Sequence, residues 1–126
     1  MSFDVLLEKA RAAVRPRALG RSSEAGAVAA AVETAGGSVY TGVNIDTPCS
    51  MGFCAEHAAI AAMVTAGESR IVRLVAVHHS GRIVPPCGRC REFVCQIDEG
   101  NIGCQVMLEG GRVVAMEDLL PDRWLG

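Results

Sequence analysis

The residues best suited to chemistry stand at the start of a predicted helix. In the stretch FCAEHAAI, residues 53–60, the thiol of Cys54, the carboxylate of Glu56 and the imidazole of His57 precede a run of small apolar residues. This run predicts a helix over residues 55–66, ended by Gly67. The first turn of a helix has unpaired N–H groups that favour thiolates and other anions. The three groups are therefore predicted to lie together at the positive end of a helix.

A second group of thiols has the spacing of metal ligands. The stretch PPCGRC places Cys87 and Cys90 three residues apart. Two thiolates at this spacing form half of a tetrahedral zinc site, and the same spacing also serves dithiol redox chemistry. Cys54 favours zinc, because it too precedes a helix and would bring a third thiolate to the same positive pocket. Three sulfur ligands would leave the fourth position of Zn²⁺ open to water, as in catalytic sites.

Two other arrangements use the same cysteines. Cys49 could join Cys54 and the Cys87–Cys90 pair in a closed structural zinc site without catalysis. Alternatively, the pair could act alone as a redox dithiol. Neither arrangement gives a role to Glu56, which would lie beside the open metal position and could move protons there. The simpler reading of Glu56 is a surface acid, since carboxylates favour helix starts.

Helices and strands alternate around these residues. The predicted helices cover residues 2–14, 55–66 and 88–99, with a short closing turn at 117–121. The predicted strands cover residues 27–34, 38–45, 70–79, 104–108 and 112–116. This order predicts one α/β domain over residues 1–126, a three-layer α-β-α sandwich around a mixed five-stranded sheet. The last two strands should pair antiparallel, because the chain between them is too short for a crossover.

Composition excludes several classes of protein. The net charge is −2, with 12 basic and 14 acidic residues, which offers no basic surface for nucleic acid. No apolar run reaches the roughly 18 residues of a membrane helix, and the charged first residues lack the apolar core of a signal peptide. We therefore expect a cytoplasmic protein with no membrane partner. In that compartment its 6 cysteines favour metal binding or catalysis over disulfides.

The combination of C-A-E at residues 54–56 with P-C-x-x-C at 86–90 closely resembles the cytidine deaminase superfamily of zinc hydrolases. The similarity extends over nearly the whole chain, through VYTGVNI, FCAEHAAI, PPCGRCREF and DLLPDRW. Within the superfamily, the chain resembles the small nucleoside deaminases, a group that includes the blasticidin-S deaminases. This resemblance implies a cytidine deaminase-like fold and the deamination of a small nucleoside or nucleoside analogue.

The resemblance also implies roles for individual residues. One Zn²⁺ per chain would be held by Cys54, Cys87 and Cys90, and would lower the pKa of a bound water. Glu56 would take a proton from this water, pass it to N3 of a cytosine ring, and assist the release of ammonia from C4. His57 would donate a hydrogen bond to a thiolate and offset the charge of the site, against the alternative of a surface histidine. His78 and His79 end a strand and are given no chemical role.

The substrate contacts implied by the resemblance come from separate parts of the chain. Asn44 and Asp46 would bind the ribose, Ala55 would contact the substrate, and Trp124 would cover the active site of a neighbouring subunit in a homotetramer. The alternative for Trp124 is simple packing of the C-terminus. Asp46 is one methylene shorter than the usual Glu, and Gly26 stands where many members have an aromatic residue. These departures keep blasticidin S or another aminated base as the alternative to cytidine.

Overall fold

The computed structural model describes residues 2–125. Its helices are α1 (Phe3–Ala13), α2 (Ala55–Thr65), α3 (Gly88–Ile97) and α4 (Met116–Leu119). Its strands are β1 (Arg17–Ala18), β2 (Glu24–Thr34), β3 (Val39–Asp46), β4 (Ile71–His78), β5 (Gln105–Met107) and β6 (Val113–Ala115). Short 3-10 turns occupy Pro48–Ser50, Glu99–Gly103 and Glu109–Gly111. None of the helices in this described part of the chain is long and apolar enough to cross a membrane.

The strands form one mixed sheet. β2 pairs antiparallel with β3 on one edge and with β4 on the other. β4 pairs parallel with β5, and β5 pairs antiparallel with β6. The predicted mixed sheet and the antiparallel last pair are therefore confirmed. The described sheet has 6 strands instead of the predicted five, because β1 adds two residues beside the start of β2. A strand this short has no alternating pattern that a sequence could reveal.

Helices cover both faces of the sheet, which confirms the three-layer prediction. On one face, Leu6, Leu7 and Ala10 of α1 pack against alternate residues of β2 and β4, including Ala31 and Val75. The opposite face carries the larger core, where α2 and α3 pack on the remaining residues of the same strands. Four consecutive residues of β4, Leu74–Val77, are each no more than 1% exposed. A continuous apolar strand is the expected consequence of burial on both faces.

One glycine sets the position of the helix that carries the chemistry. A Cβ built on Gly42 of β3 would lie 2.3 Å from the backbone nitrogen of Ala59 in α2. The two backbones therefore touch at this point, which only glycine permits. This close packing places the start of α2 beside the end of β3, where Asn44 and Asp46 lie.

Candidate active site

Two helix starts bring three thiols together. Cys54 is the N-cap of α2, and Cys87 is the N-cap of α3. Cys90 lies one turn further along α3 and is fully buried. The Cys87 sulfur is 3.5 Å from the sulfurs of both other cysteines, and all three sulfurs lie within 4.8 Å of one another. The sequence analysis predicted this convergence because Cys54 and Cys87 each precede a predicted helix, whose positive end favours thiolates.

The thiol geometry fits a single zinc ion. Zinc binds thiolates at about 2.3 Å in tetrahedral geometry, which separates the sulfurs by about 3.8 Å. The observed separations of 3.5 Å need only a small expansion. Cys49 is free and exposed, and it lies outside the cluster formed by the described residues. The three thiols can therefore hold one zinc ion with one position left open, whereas the closed four-cysteine arrangement is not formed.

The local environment shifts the pKa values of the Cys90 and Cys87 thiols in opposite directions. Burial raises the pKa of the Cys90 thiol far above its ordinary value, and the Glu56 carboxylate adds to the rise. Burial acts in the same direction on Cys87, but hydrogen bonds together outweigh it and lower the pKa of Cys87. They come from the Cys90 N–H, from the Cys90 and Cys54 thiols and from the Arg89 N–H. Donation from helix N–H groups is the effect predicted from the position of these cysteines. A cation among the three sulfurs would offset the cost of ionising Cys90.

Glu56 is a buried carboxylate without a cationic partner. It is 4% exposed, and burial raises its pKa above the ordinary value. The described residues form two salt bridges, Glu33–Arg73 and Arg82–Glu109, and Glu56 belongs to neither. Glu56 instead lines a cavity, together with Cys54. A buried, unpaired acid at a cavity wall is typical of a proton-transfer group and excludes the surface-acid reading.

His57 connects the two helices that carry the thiols. Its Nδ1 lies 3.4 Å from the sulfur of Cys90, and its ring stacks on Phe93 with centroids 4.3 Å apart. Burial lowers the pKa of the imidazole, and the nearby Arg89 guanidinium adds to this effect. A neutral ring protonated on Nδ1 can donate to a Cys90 thiolate, which is the role predicted for His57.

The thiols and Glu56 open onto a cavity of about 530 Å³, within the roughly 300–1,000 Å³ of small-molecule sites. Asn44, Asp46 and Ala55, for which the sequence analysis expected substrate contacts, line the same cavity. The Asn44 amide donates to Asp46 at 3.0 Å, and its oxygen accepts from the Val28 N–H at 2.8 Å. A β-bulge in β2, between Ala25 and Ala29, accompanies this side-chain contact. The two hydrogen bonds hold the Asn44 side chain at the cavity wall.

The departure noted at Gly26 has a structural explanation. Gly26 lies in the bulge with φ of +85°, and a Cβ there would meet the carbonyl oxygen of Arg15 at 1.9 Å. No aromatic side chain fits this backbone, and Gly26 is not among the residues that line the cavity. The backbone of Arg15 occupies the space that a side chain at position 26 would need.

Trp124 lies outside the cavity that Glu56 lines. Its side chain is 69% exposed, and it borders a small groove with Cys95 and Arg123 instead. Its backbone N–H donates to the Glu92 carboxylate of α3 at 3.0 Å. Glu92 therefore anchors the C-terminal segment, a contact that the sequence did not reveal.

Other cavity residues also escaped the sequence analysis. Thr47 lines the cavity, and its Oγ1 is buried without a hydrogen-bond partner among the described residues. Phe53, Val84 and Arg89 line the same space. Arg89 could have been suspected, because it stands between the two cysteines of the C-x-x-C pair. Thr47 follows Asp46 in an irregular loop and carries no sequence signal.

His78 and His79 contact each other and lie outside the cavity lining.

An open three-thiol metal site with a buried carboxylate, at the meeting point of two helices in an α-β-α sandwich, defines a zinc-dependent hydrolase. Residues 4–110 match the family described as the cytidine and deoxycytidylate deaminase zinc-binding region. The chain belongs to this family. The sequence-based assignment to the cytidine deaminase superfamily, and to its aminohydrolase enzymes, is therefore confirmed.

Individual relatives agree with the family assignment. The chain is 34% identical over 98 residues to a cytidine deaminase of Mycobacterium tuberculosis. The aligned region covers 76% of this chain and 71% of the relative. It is also 34% identical over 106 residues to a blasticidin-S deaminase of Bacillus cereus, covering 75% and 74% of the two chains.

Solved structures show the same fold. The cytidine deaminase of Mycobacterium leprae superposes with a TM-score of 0.81 at 30% identity, covering 97% of this chain and 99% of the other. The enzyme of M. tuberculosis gives a TM-score of 0.84 at 28% identity, covering 100% and 99%.

Proposed function

We propose that the protein is a zinc-dependent hydrolytic deaminase that converts the 4-amino group of cytidine or deoxycytidine to a carbonyl. The observation that carries the proposal is the buried, unpaired Glu56 beside the thiols of Cys54, Cys87 and Cys90 at the wall of one cavity. Neither a redox dithiol nor a structural zinc site requires such an acid.

The residues of the chain supply proton transfer and orientation. Zinc, when bound, supplies a Lewis acid that makes water a nucleophile near neutral pH. Glu56 takes a proton from the attacking water and gives it to ring N3, while the water oxygen bonds to C4. The second water proton reaches the departing amino group through Glu56, and the C4–N bond breaks. The products are the 4-keto pyrimidine and ammonia, which balances the addition of one water.

Asn44 and Asp46 are proposed to hold the sugar. Their side chains are hydrogen-bonded to each other at 3.0 Å, with the Asn44 oxygen held by the backbone of Val28. The exposed Asp46 carboxylate can accept a hydrogen bond from a ribose hydroxyl, and the second N–H of the Asn44 amide can donate a hydrogen bond to a ribose oxygen. Ala55 is buried at the cavity wall between Cys54 and Glu56, where the ring must approach. These contacts favour a nucleoside over a free base.

Blasticidin S is the second candidate substrate. The relative from B. cereus bears the name of blasticidin-S deaminase and is as similar to this chain as the mycobacterial cytidine deaminase. The shorter acid at Asp46 also distinguishes this pocket from the pattern expected for cytidine. The chemistry at C4 is the same for both substrates.

A substrate panel tests the proposal. Wild-type protein should release ammonia from cytidine and deoxycytidine, with less release from free cytosine. Asn44→Ala should raise the KM for cytidine by about two- to tenfold, the value of one lost neutral hydrogen bond, and leave cytosine turnover unchanged. Ammonia release from blasticidin S with none from cytidine would favour the second candidate. Activity confined to free bases would remove Asn44 and Asp46 from sugar binding.

A homotetramer is proposed from the exposed apolar surface. Ala61, Ala62 and Val64 of α2 are exposed, although the opposite side of the helix is fully buried. Met51 and Trp124 add large exposed apolar side chains, at 77% and 69%. Apolar surface on this scale favours contacts between subunits. Because Trp124 lies outside its own cavity lining, it is proposed to cover the site of a neighbour.

Subunit mixing tests the shared site. Glu56→Gln chains lack the proton-transfer group but have an intact tail, whereas Trp124→Ala chains have the reverse defect. After subunit exchange, some sites combine an intact Glu56 with an intact Trp124 from a neighbour. Turnover of the mixture should therefore exceed the sum of the two parents, measured at equal total protein. If exchange is demonstrated by mass and both parents are impaired, an additive result would show that Trp124 does not act across subunits.

A further inference from the structure

His57 makes two contacts with α3 that together fix its ring. Its Nδ1 lies 3.4 Å from the Cys90 sulfur, and its ring plane lies 3° from that of Phe93, with centroids 4.3 Å apart. Cys90 and Phe93 are three residues apart on α3, so their side chains share one face of the helix. A single residue of α2 thereby touches a metal-binding thiol and an aromatic ring of the other metal-binding helix.

The two contacts constrain different motions of the imidazole. Rotation about χ2 of histidine is broad and nearly two-fold, so a hydrogen bond alone leaves the ring plane loosely defined. A stacked aromatic ring fixes the plane, because turning the imidazole out of it loses the face-to-face contact. The hydrogen bond then selects which edge of the ring faces Cys90. An aliphatic residue at position 93 would fill space without defining a plane.

The surroundings of Phe93 suit it to fix the plane of the His57 ring. Its own ring is partly buried against the large core under α2 and α3. The Cys90 sulfur, by contrast, is 0% exposed, so water cannot hydrogen-bond to it. Its hydrogen-bond donors must come from the protein. The Cys87 sulfur lies 3.5 Å away but cannot donate once it is an ionised metal ligand, which leaves the His57 imidazole as the side-chain donor within reach among the described residues.

We propose that Phe93 is a positioning residue that acts through His57: the stack keeps Nδ1 on the sulfur of Cys90 and so stabilises this thiolate as a metal ligand. The proposal rests on the zinc site described above, but it does not depend on which substrate the protein deaminates. Its consequence is a slower release of the metal.

Zinc release measures this consequence directly. Zinc-loaded wild type, Phe93→Leu and Phe93→Tyr are mixed with a chromophoric chelator, and the rate of zinc transfer is recorded. Loss of the stack in Phe93→Leu should speed release about two- to tenfold, the worth of one aromatic pair. Phe93→Tyr keeps the stack and should release zinc at the wild-type rate. His57→Ala removes the hydrogen bond itself and should speed release by about 10- to 100-fold.

A double-mutant cycle separates positioning from general packing. If Phe93 acts through His57, Phe93→Leu should have no further effect on zinc release in the His57→Ala background. An equal acceleration in both backgrounds would overturn the proposal, as would wild-type release from Phe93→Leu. Phe93→Met, which is flexible and apolar, replaces the Leu variant if that variant does not fold, and the same outcomes apply. A zinc-loaded protein that deaminates nothing would contradict the proposed function while leaving these rates interpretable.

Discussion

Glu56→Gln is expected to reduce deamination by at least about 100-fold, the usual contribution of a general acid–base group. Gln has nearly the same shape as Glu, so it should fill the same buried position without disturbing α2. It cannot accept and return a proton, which removes the transfer from water to ring N3. Zinc content and subunit assembly should match those of the wild type. Turnover of cytidine, with zinc measured on the same sample, gives the result.

A second buried carboxylate provides the matched control. Glu33 is 6% exposed and forms an ion pair with Arg73 at 2.8 Å. It takes no part in the three-thiol site. Glu33→Gln weakens this ion pair and should lower the thermal unfolding temperature, but turnover should stay within a few-fold of the wild type. Near-normal deamination by Glu56→Gln would exclude Glu56 from the mechanism. Equal losses in both variants would indicate that a buried acid at either place matters only for folding.

Local signals predicted most of the framework of this protein. Cys54 and Cys87 stand before predicted helices, so their positions at the helix starts followed from short stretches of sequence. The alternation of helices and strands predicted helices on both faces of the sheet, which agrees with the burial of four consecutive residues of β4. The short GG-containing connection before β6 predicted antiparallel pairing with β5. Each of these inferences uses residues close together in the chain.

Contacts between distant segments could not be predicted in the same way. The bulge at Gly26 depends on Arg15, whose carbonyl occupies the space of a side chain. The Glu92–Trp124 contact joins residues 32 apart, and the His57–Cys90 contact joins residues 33 apart. The His57 hydrogen bond was inferred from a family resemblance, whereas its stack on Phe93 had no sequence signal. Tertiary packing determines which distant residues meet, and the local periodicity of the sequence contains no information about these contacts.

Replacing a metal-binding cysteine is expected to abolish both zinc retention and turnover. Cys54→Ser, Cys87→Ser and Cys90→Ser each exchange a soft thiolate for a hydroxyl that ionises much less readily. Even the loss of a residue that only supports a ligand costs about 10–100-fold in metal affinity, so loss of a ligand itself should exceed this. Zinc measured by atomic absorption after gel filtration should fall from one per chain to a small fraction.

Cys49→Ser is the matched control, because it makes the same chemical change five residues before Cys54. The Cys49 thiol is exposed and lies outside the three-thiol cluster of the described residues. Its backbone has φ of +61°, and serine, the residue already present at φ +57° in the next position, is compatible with that conformation. Cys49→Ser should therefore keep one zinc per chain and full turnover. Zinc loss as complete as that of Cys54→Ser would instead establish Cys49 as a fourth ligand, which would close the metal site to water and contradict the proposed catalysis.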